Sequence, residues 1–230
     1  MEELSRTAML IGEENVEKLK KKSVIVFGVG GVGGYVCEAL ARSGIGKIDV
    51  VDNDVVSLSN INRQIIALHS TVGQKKVDVM KERMLDISPS IEVNTYDTFF
   101  TPQTSSEFDL TKYDYVIDAI DTVSGKLELA AICDSANIPI ISSMGAGNKL
   151  NPCAFKVADI YKTSVCPLAK AVRVALKKRG VKKLKVVYSE ETPVVIKAEQ
   201  GGKRIPASCA FTPSVAGLII ASEVIKDLIK

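Results

Sequence analysis

The sequence predicts an α/β fold: a Rossmann-like, mostly parallel sheet with flanking helices, extended by a mixed β/helical C-terminal part. Three observations carry this. Short Val/Ile-rich runs alternate with helix-periodic segments through residues 23–142, and a helix between consecutive strands implies parallel pairing by a right-handed crossover. The turn GVGGVG, residues 28–33, directly follows one such run and opens a helix. After Gly145 the alternation gives way to shorter strand-like runs, one basic helix and a closing helix. With 230 residues and 46% hydrophobic content, one large core is within reach. The chain reads as a single domain over residues 1–230: a helical arm (1–22), a nucleotide-binding core (23–150) and a basic extension (151–230) assigned to substrate binding.

Residues 1–22 form two short helical pieces broken at Gly12, with Leu4, Met9, Leu10, Ile11, Val16 and Leu19 as apolar contacts. Such an arm packs on its own domain or crosses to a partner subunit. Ser23–Phe27 is a buried strand, residues 31–43 a helix ending at Gly44, and residues 46–51 the second strand. Residues 57–70 read as loop and short helix. Residues 74–86 form a helix with Val77, Met80 and Met84 on one face and Pro89 beyond its end. Strands are expected over 91–95, 113–117 and 138–142, with a helix over 127–136. Further on come a strand over 153–157, a basic helix over 168–178, and a β pair from 185–188 and 194–197. Residues 199–208, with Gly201, Gly202 and Pro206, read as a loop. Residues 211–229 close the chain as a helix with Pro213 in its first turn.

Composition narrows the function class. The five cysteines (Cys37, Cys133, Cys153, Cys166, Cys209) are far apart with no CxxC pair. That argues against a zinc tetrad or a disulfide framework and points to a reducing cytoplasm. The start of the chain is charged and helix-like rather than a signal peptide. The C-terminal apolar run 215–221 is too short to span a bilayer, which needs about 20 residues. The net charge of +3 hides an asymmetry: residues 151–230 hold 15 Lys/Arg against 6 Asp/Glu, and residues 1–150 hold 15 against 21. A polyanionic partner for the basic part and ordinary surface decoration both fit that split.

Gly28, Gly30 and Gly33, with Gly31 between them, match a G-x-G-x-x-G turn between strand and helix. Such a turn lets the backbone approach phosphate closely while the helix N-terminus offers free N–H groups. Asp52 ends the second strand, 19 residues after Gly33, where a carboxylate accepts hydrogen bonds from ribose hydroxyls. Neither feature separates NAD from ATP. The segment DNDVVSLSNINRQ adds Asn60 and Arg63, and VGQKK adds Lys76 at a helix start. Two cations near a glycine turn suit a triphosphate under attack; a hydride-transfer enzyme has less need of them. Asp121 lies just past the fourth strand, where open α/β sheets place ligands. A carboxylate there suits Mg²⁺, which takes few carboxylates plus phosphate oxygens. Asp118 is the weaker candidate, as a simple strand end. The only histidine, His69, reads as structural.

Together, GVGGVG, VDNDVVSLSNINRQ, VGQKK and AIDT resemble the ubiquitin-activating-enzyme-like adenylyltransferases, the HesA/MoeB/ThiF superfamily. The resemblance implies that the glycine turn and Asp52 bind ATP, and that Asn60, Arg63 and Lys76 contact its phosphates. It also implies that Asp121 supports Mg²⁺ and that Arg6, in SRTAMLIG, reaches the active site of a partner subunit, making a homodimer. The implied chemistry is carboxylate activation: attack on the α-phosphate gives an acyl-adenylate and pyrophosphate. Arg63, Lys76, Arg6 and Asp121 are the implied catalytic residues, acting by positioning and charge neutralisation.

SRTAMLIGEE, IDAIDTVSGK, SMGAGNKLNP and VVYSEETPV are similar to one branch, the tRNA threonylcarbamoyladenosine dehydratases. That implies adenylation of the threonyl carboxylate on a modified adenosine in tRNA, followed by ring closure with release of AMP. The alternative is an adenylyltransferase for the C-terminus of a ubiquitin-like sulfur carrier; the missing CxxC pairs and the basic run argue against it. A nicotinamide oxidoreductase and a non-enzymatic RNA-binding scaffold are more distant readings. Residues 161–189 carry nine Lys/Arg and no acid. By itself this run is a solvated face; beside the resemblance, Lys177, Lys178, Arg179, Lys182 and Lys183 become RNA contacts. Lys203 and Arg204 sit in a loop placed to close over substrate. Cys209, in PASCAFTPS, is a candidate nucleophile because the superfamily sometimes forms a thioester. It lacks an adjacent His or Lys, and ring closure needs no protein nucleophile, so packing beside the site is the favoured role. Cys166 reads as a helix-entry residue and Cys37 as buried. The sequence leaves open a monovalent cation (K⁺ or Na⁺) and a sulfur-transfer or cysteine desulfurase partner.

Overall fold

The computed structural model describes residues 2–195 and 206–230. Seven strands form one sheet in the order β3-β2-β1-β4-β5-β7-β6. They are β1 (Ser23–Phe27), β2 (Lys47–Val51), β3 (Thr95–Tyr96), β4 (Tyr115–Asp118), β5 (Ile140–Ser143), β6 (Phe155–Asp159) and β7 (Lys185–Ser189). All neighbours pair in parallel except β6 and β7, which are antiparallel. The helices are α1 (Ser5–Ile11), α2 (Glu13–Leu19), α3 (Gly33–Arg42), α4 (Lys76–Ile87), α5 (Val123–Ala136), α6 (Pro167–Arg179) and α7 (Phe211–Ile229).

Side chains alternate across a strand, and β1 uses both faces. Val24 and Val26 pack with Val36, Leu40, Ile220 and Val224 of α3 and α7. Ile25 and Phe27 pack on the other face with Leu129 and Cys133 of α5. Phe27 there meets Phe100 and Phe108 edge-on at 4.7 and 5.5 Å. A second cluster joins Val172 and Leu176 of α6 to Val186 and Tyr188 of β7. The strands are apolar on both faces because helices cover both faces.

Most expected elements are present within a few residues, and α7 has the predicted span. The predicted β pair is corrected. β7 pairs with β6, Phe155↔Ser189 to Asp159↔Lys185; Val194 and Val195 form no strand, and residues 196–197 lie outside the described residues. With β5 on one edge of β7 and a five-residue β6 on the other, its backbone groups are already used. The third strand is shorter than 91–95. The chain runs beside β2 from Glu92, but the Asn94 N–H goes to the Asp49 carboxylate at 3.2 Å, and regular pairing is confined to Thr95–Tyr96. α5 starts at Val123, not 127. Gly125 lies in its first turn, close against Ile120: a Cβ there would sit 2.6 Å from Ile120 Cδ1. Of the loop over 199–208, residues 199–205, including Lys203 and Arg204, lie outside the described residues.

Candidate active site

The C-terminal ends of β1, β2, β4 and β5 open into a cleft of about 920 Å³, the position at which open α/β sheets bind ligands. Gly28, Gly30, Gly31, Asp52, Asn60, Arg63, Lys76 and Asp121 all line it. Sequence positions 28 to 121 are thus brought to one place. Gly33 does not line the cleft; it locks the turn. A Cβ at Gly33 would lie 1.8 Å from the Gly28 carbonyl oxygen, so no other residue fits. Gly28 has φ +90° and packs on the Ala119 carbonyl, a second position reserved for glycine.

Asp52 ties this turn to β2. Its carboxylate accepts the Val29 N–H at 2.7 Å and the Asp54 N–H at 2.9 Å. Asn60 is buried, and its side-chain carbonyl accepts the Ser57 N–H at 3.1 Å, closing a short 3₁₀ turn. That turn brings Arg63 to the rim, where its guanidinium donates to the Ser59 carbonyl at 3.0 Å and to Asn62 Oδ1 at 2.9 Å. Lys76, the first residue of α4, is 5% exposed, and its ammonium lies 2.6 Å from Asp54 Oδ2. Asp54 is exposed, so it can swing away and leave the ammonium to another anion, which the buried lysine then needs.

Asp118 and Asp121 divide their roles. Asp121 is exposed at the cleft and forms no ion pair among the described residues. Asp118 is wholly buried and meets Lys126 Nζ at 3.0 and 3.1 Å, Ser142 Oγ and the Ile120 N–H at 3.2 Å. Lys126 also donates to the Ser143 carbonyl at 2.7 Å. This ion pair holds the 119–122 turn and the end of β5 as one floor beneath the cleft. Lys126 gives little sequence signal, because a lysine in an otherwise apolar helix reads as surface.

The far wall comprises residues 143–149, the start of α6 at Cys166, Pro167 and Leu168, and residues 206–208. Asn148, at φ +58°, joins these pieces. Its N–H and carbonyl bind Ala207 and Val194, and its side-chain carbonyl accepts the Ala207 N–H at 2.7 Å. Lys149 is 3% exposed. Lys149 falls within SMGAGNKLNP and the buried Gln64, also in the cleft wall, ends DNDVVSLSNINRQ, but those motifs assign neither of them a role.

Several expected residues lie elsewhere. Arg6 is exposed on α1 and does not line the cleft of its own chain. His69 is exposed and outside it. Cys209 lies just behind the wall, 3.2 Å from Thr212 Oγ1 and 3.8 Å from the Lys149 carbonyl. Burial pushes its thiol up, but hydrogen bonds from Thr212 and the start of α7 outweigh that, leaving it below the ordinary thiol range. Cys166 is the helix-entry residue expected, and Cys37 is buried. Of the basic run, Arg173 is held by Thr163, Arg179 by Glu128, and Lys185 by Glu223 and Asp227. Lys177, Lys178, Lys182 and Lys183 are exposed and unpaired among the described residues.

The cleft fits a nucleoside triphosphate. Its glycine turn leaves room for a ligand, and two cations, Arg63 and Lys76, line it. Gln64 Oε1 and Thr122 Oγ1 are buried in its walls without hydrogen-bond partners, as polar groups awaiting a ligand are. Among the described residues, no group of three or more His, Cys, Asp or Glu could hold a metal ion. Asp121 alone would hold Mg²⁺ together with phosphate oxygens.

The model described as the ThiF family matches residues 4–230. The tRNA threonylcarbamoyladenosine dehydratase of Bacillus subtilis is 47% identical over 243 residues, covering 100% of this chain and 96% of that protein. The Escherichia coli protein of the same name is 43% identical over 171 residues, 74% of this chain and 64% of its own length. A crystal structure of the E. coli tRNA N6-threonylcarbamoyladenosine dehydratase in complex with ATP superposes with a TM-score of 0.91 at 35% identity, covering 99% of this chain and 94% of that one.

Proposed function

This chain belongs to the ThiF family, and from that premise we propose that it is an ATP-dependent dehydratase of threonylcarbamoyladenosine in tRNA. The observation that carries the proposal is the continuity of one cleft between a triphosphate-binding wall and a second wall that opens the basic helix α6. ATP sits on the glycine turn, with its ribose toward Asp52 and its phosphates between Arg63 and Lys76. Asp121 would hold Mg²⁺, which would neutralise charge on the phosphate oxygens. The threonyl carboxylate enters from the second wall and attacks the α-phosphate, giving an acyl-adenylate and pyrophosphate. The substrate's own side-chain nitrogen then displaces AMP and closes the ring, so one water is lost overall. Arg63 and Lys76 stabilise charge that develops on the phosphates.

Lys177 lies ten residues along α6 from Pro167 at the cleft, or about 15 Å at 1.5 Å per residue. RNA backbone can lie along this face while the modified base enters the cleft. On α1, Met9 and Leu10 are 87% and 86% exposed beside Arg6. This apolar pair supports a homodimer in which Arg6 completes the partner's site. No described helix is long and apolar enough to cross a membrane, and a tRNA substrate supports a cytoplasmic reaction.

The test is incubation with MgATP and tRNA carrying the modification. The expected result is AMP, pyrophosphate and a nucleoside lighter by one water. Equal turnover with unmodified tRNA, or adenylation of a sulfur-carrier protein instead, would overturn the reading.

A further inference from the structure

The second wall of the cleft contains a cation that the adenylation chemistry so far leaves unused. Lys149 is 3% exposed and lines the cleft. Its ammonium has one acceptor among the described residues, the Glu191 backbone carbonyl at 2.7 Å. An ammonium carries three donors, and a buried charge with a single neutral partner is costly unless an anion completes it. The nearby Glu191 carboxylate attracts that charge but does not touch it. It is taken by the N–H groups of Leu150 at 2.9 Å and Asn151 at 2.9 Å, and it makes no ion pair with Lys149 among the described residues.

Two further features make this wall suited to an anion. The first turn of α6 opens on it at Cys166, Pro167 and Leu168 without a side-chain cap, so its N-terminal partial positive charge faces the same space. Asp54, which pairs with Lys76, and Asp121, which would hold Mg²⁺, also line the cleft. A substrate carboxylate must approach a triphosphate of the same sign, and a cation on its own side offsets that repulsion.

We infer that Lys149 is the carboxylate-binding residue of the acceptor half, holding the substrate carboxylate beside the α-phosphate with the α6 N-terminus. This rests on the proposed activity and adds the group that selects a carboxylate over a neutral analogue. Lys149 keeps its bond to Glu191 and turns its remaining donors to the ligand.

The experiment compares two anticodon stem-loop RNAs in the presence of Mg²⁺ and α,β-methylene-ATP. One bears threonylcarbamoyladenosine; the other carries the same group with its carboxylate converted to a carboxamide. The wild-type protein is expected to bind the carboxylate RNA at least tenfold more tightly. Lys149→Met is expected to bind both within about twofold while retaining its affinity for ATP. Lys149→Arg is expected to keep most of the preference. If Lys149→Met does not fold, Lys149→Gln against Lys149→Arg provides the same contrast. A preference that persists without the cation, or a wild type that shows none, overturns the inference. A wild type that forms no AMP from MgATP and modified tRNA overturns the proposed activity instead, so the two failures are distinct.

Discussion

The two walls of the cleft are built differently. On the nucleotide wall, Val29 is tied to Asp52 across 23 residues and Lys76 to Asp54 across 22. On the acceptor wall, Lys149 is tied to Glu191 across 42 residues and Ala207 to Asn148 across 59. The first wall is built around a contiguous strand–turn–helix–strand unit, β1 to β2, to which the segment carrying Asn60, Arg63 and Lys76 and the turn at Asp121 are added. The second is assembled from separate loops and acquires its shape only once the sheet has formed.

The largest expected effect strikes the floor that both walls share. Lys126→Met leaves the Asp118 carboxylate buried without its cation, and removing one partner of a buried pair costs about 3–5 kcal/mol. Urea unfolding should show that loss, and adding Asp118→Asn should recover much of it. If Lys126→Met alone unfolds like wild type, the floor is not held by this pair. Next is Arg63→Ala, which confines its damage to the nucleotide wall. Loss of one preorganised charge at the transferring phosphate lowers kcat by about 10²–10³, with folding stability unchanged because Arg63 lies at the rim. Cys209→Ser should stay within about threefold of wild-type turnover, since the thiol lies outside the cleft; a thioester intermediate would instead make that variant inactive.

A smaller effect separates the acceptor wall from the RNA surface beyond it. Replacing Lys177, Lys178, Lys182 and Lys183 by Gln should weaken tRNA binding without changing ATP affinity. The slope of log K against log salt should become shallower by about 0.7–0.9 for each phosphate contact removed. An unchanged slope would return this face to ordinary solvated surface.

The same division governs what the sequence discloses. The glycine turn, Asp52, Asn60, Arg63, Lys76 and Asp121 are legible because each is fixed by its place in a local motif, and all line one cleft. The span of α7 was legible from its apolar face and Pro213. The partner of β7 was not, because two short strand-like runs compete for it and only the sheet decides between them. Lys126 and Lys149 fall within IDAIDTVSGK and SMGAGNKLNP, but their roles were not legible, because nothing local tells a buried lysine from a solvated one. Their partners, Asp118 with the Ser143 carbonyl and the Glu191 carbonyl, are supplied by tertiary structure.

The smallest expected effect concerns how the two parts are strapped together. Asp227 on α7 accepts from Tyr115 at the start of β4 at 2.8 Å and from Lys185 at the start of β7 at 2.9 Å. One carboxylate therefore links the nucleotide core to the C-terminal extension. Burial would raise it, but hydrogen bonds from Lys230, Lys185 and Tyr115 outweigh that and hold it at about 2. A carboxyl lowered in the folded state contributes stability above its unfolded value, near 3.9, and loses that contribution as pH falls through the folded value. Asp227→Asn should therefore cost on the order of 1–2 kcal/mol above about pH 4, and the variant and wild type should converge toward pH 2. Thermal melting across that window reads the difference directly. A constant gap at every pH would mean that Asp227 acts through packing, leaving the apolar face of α7 as the link between the two parts.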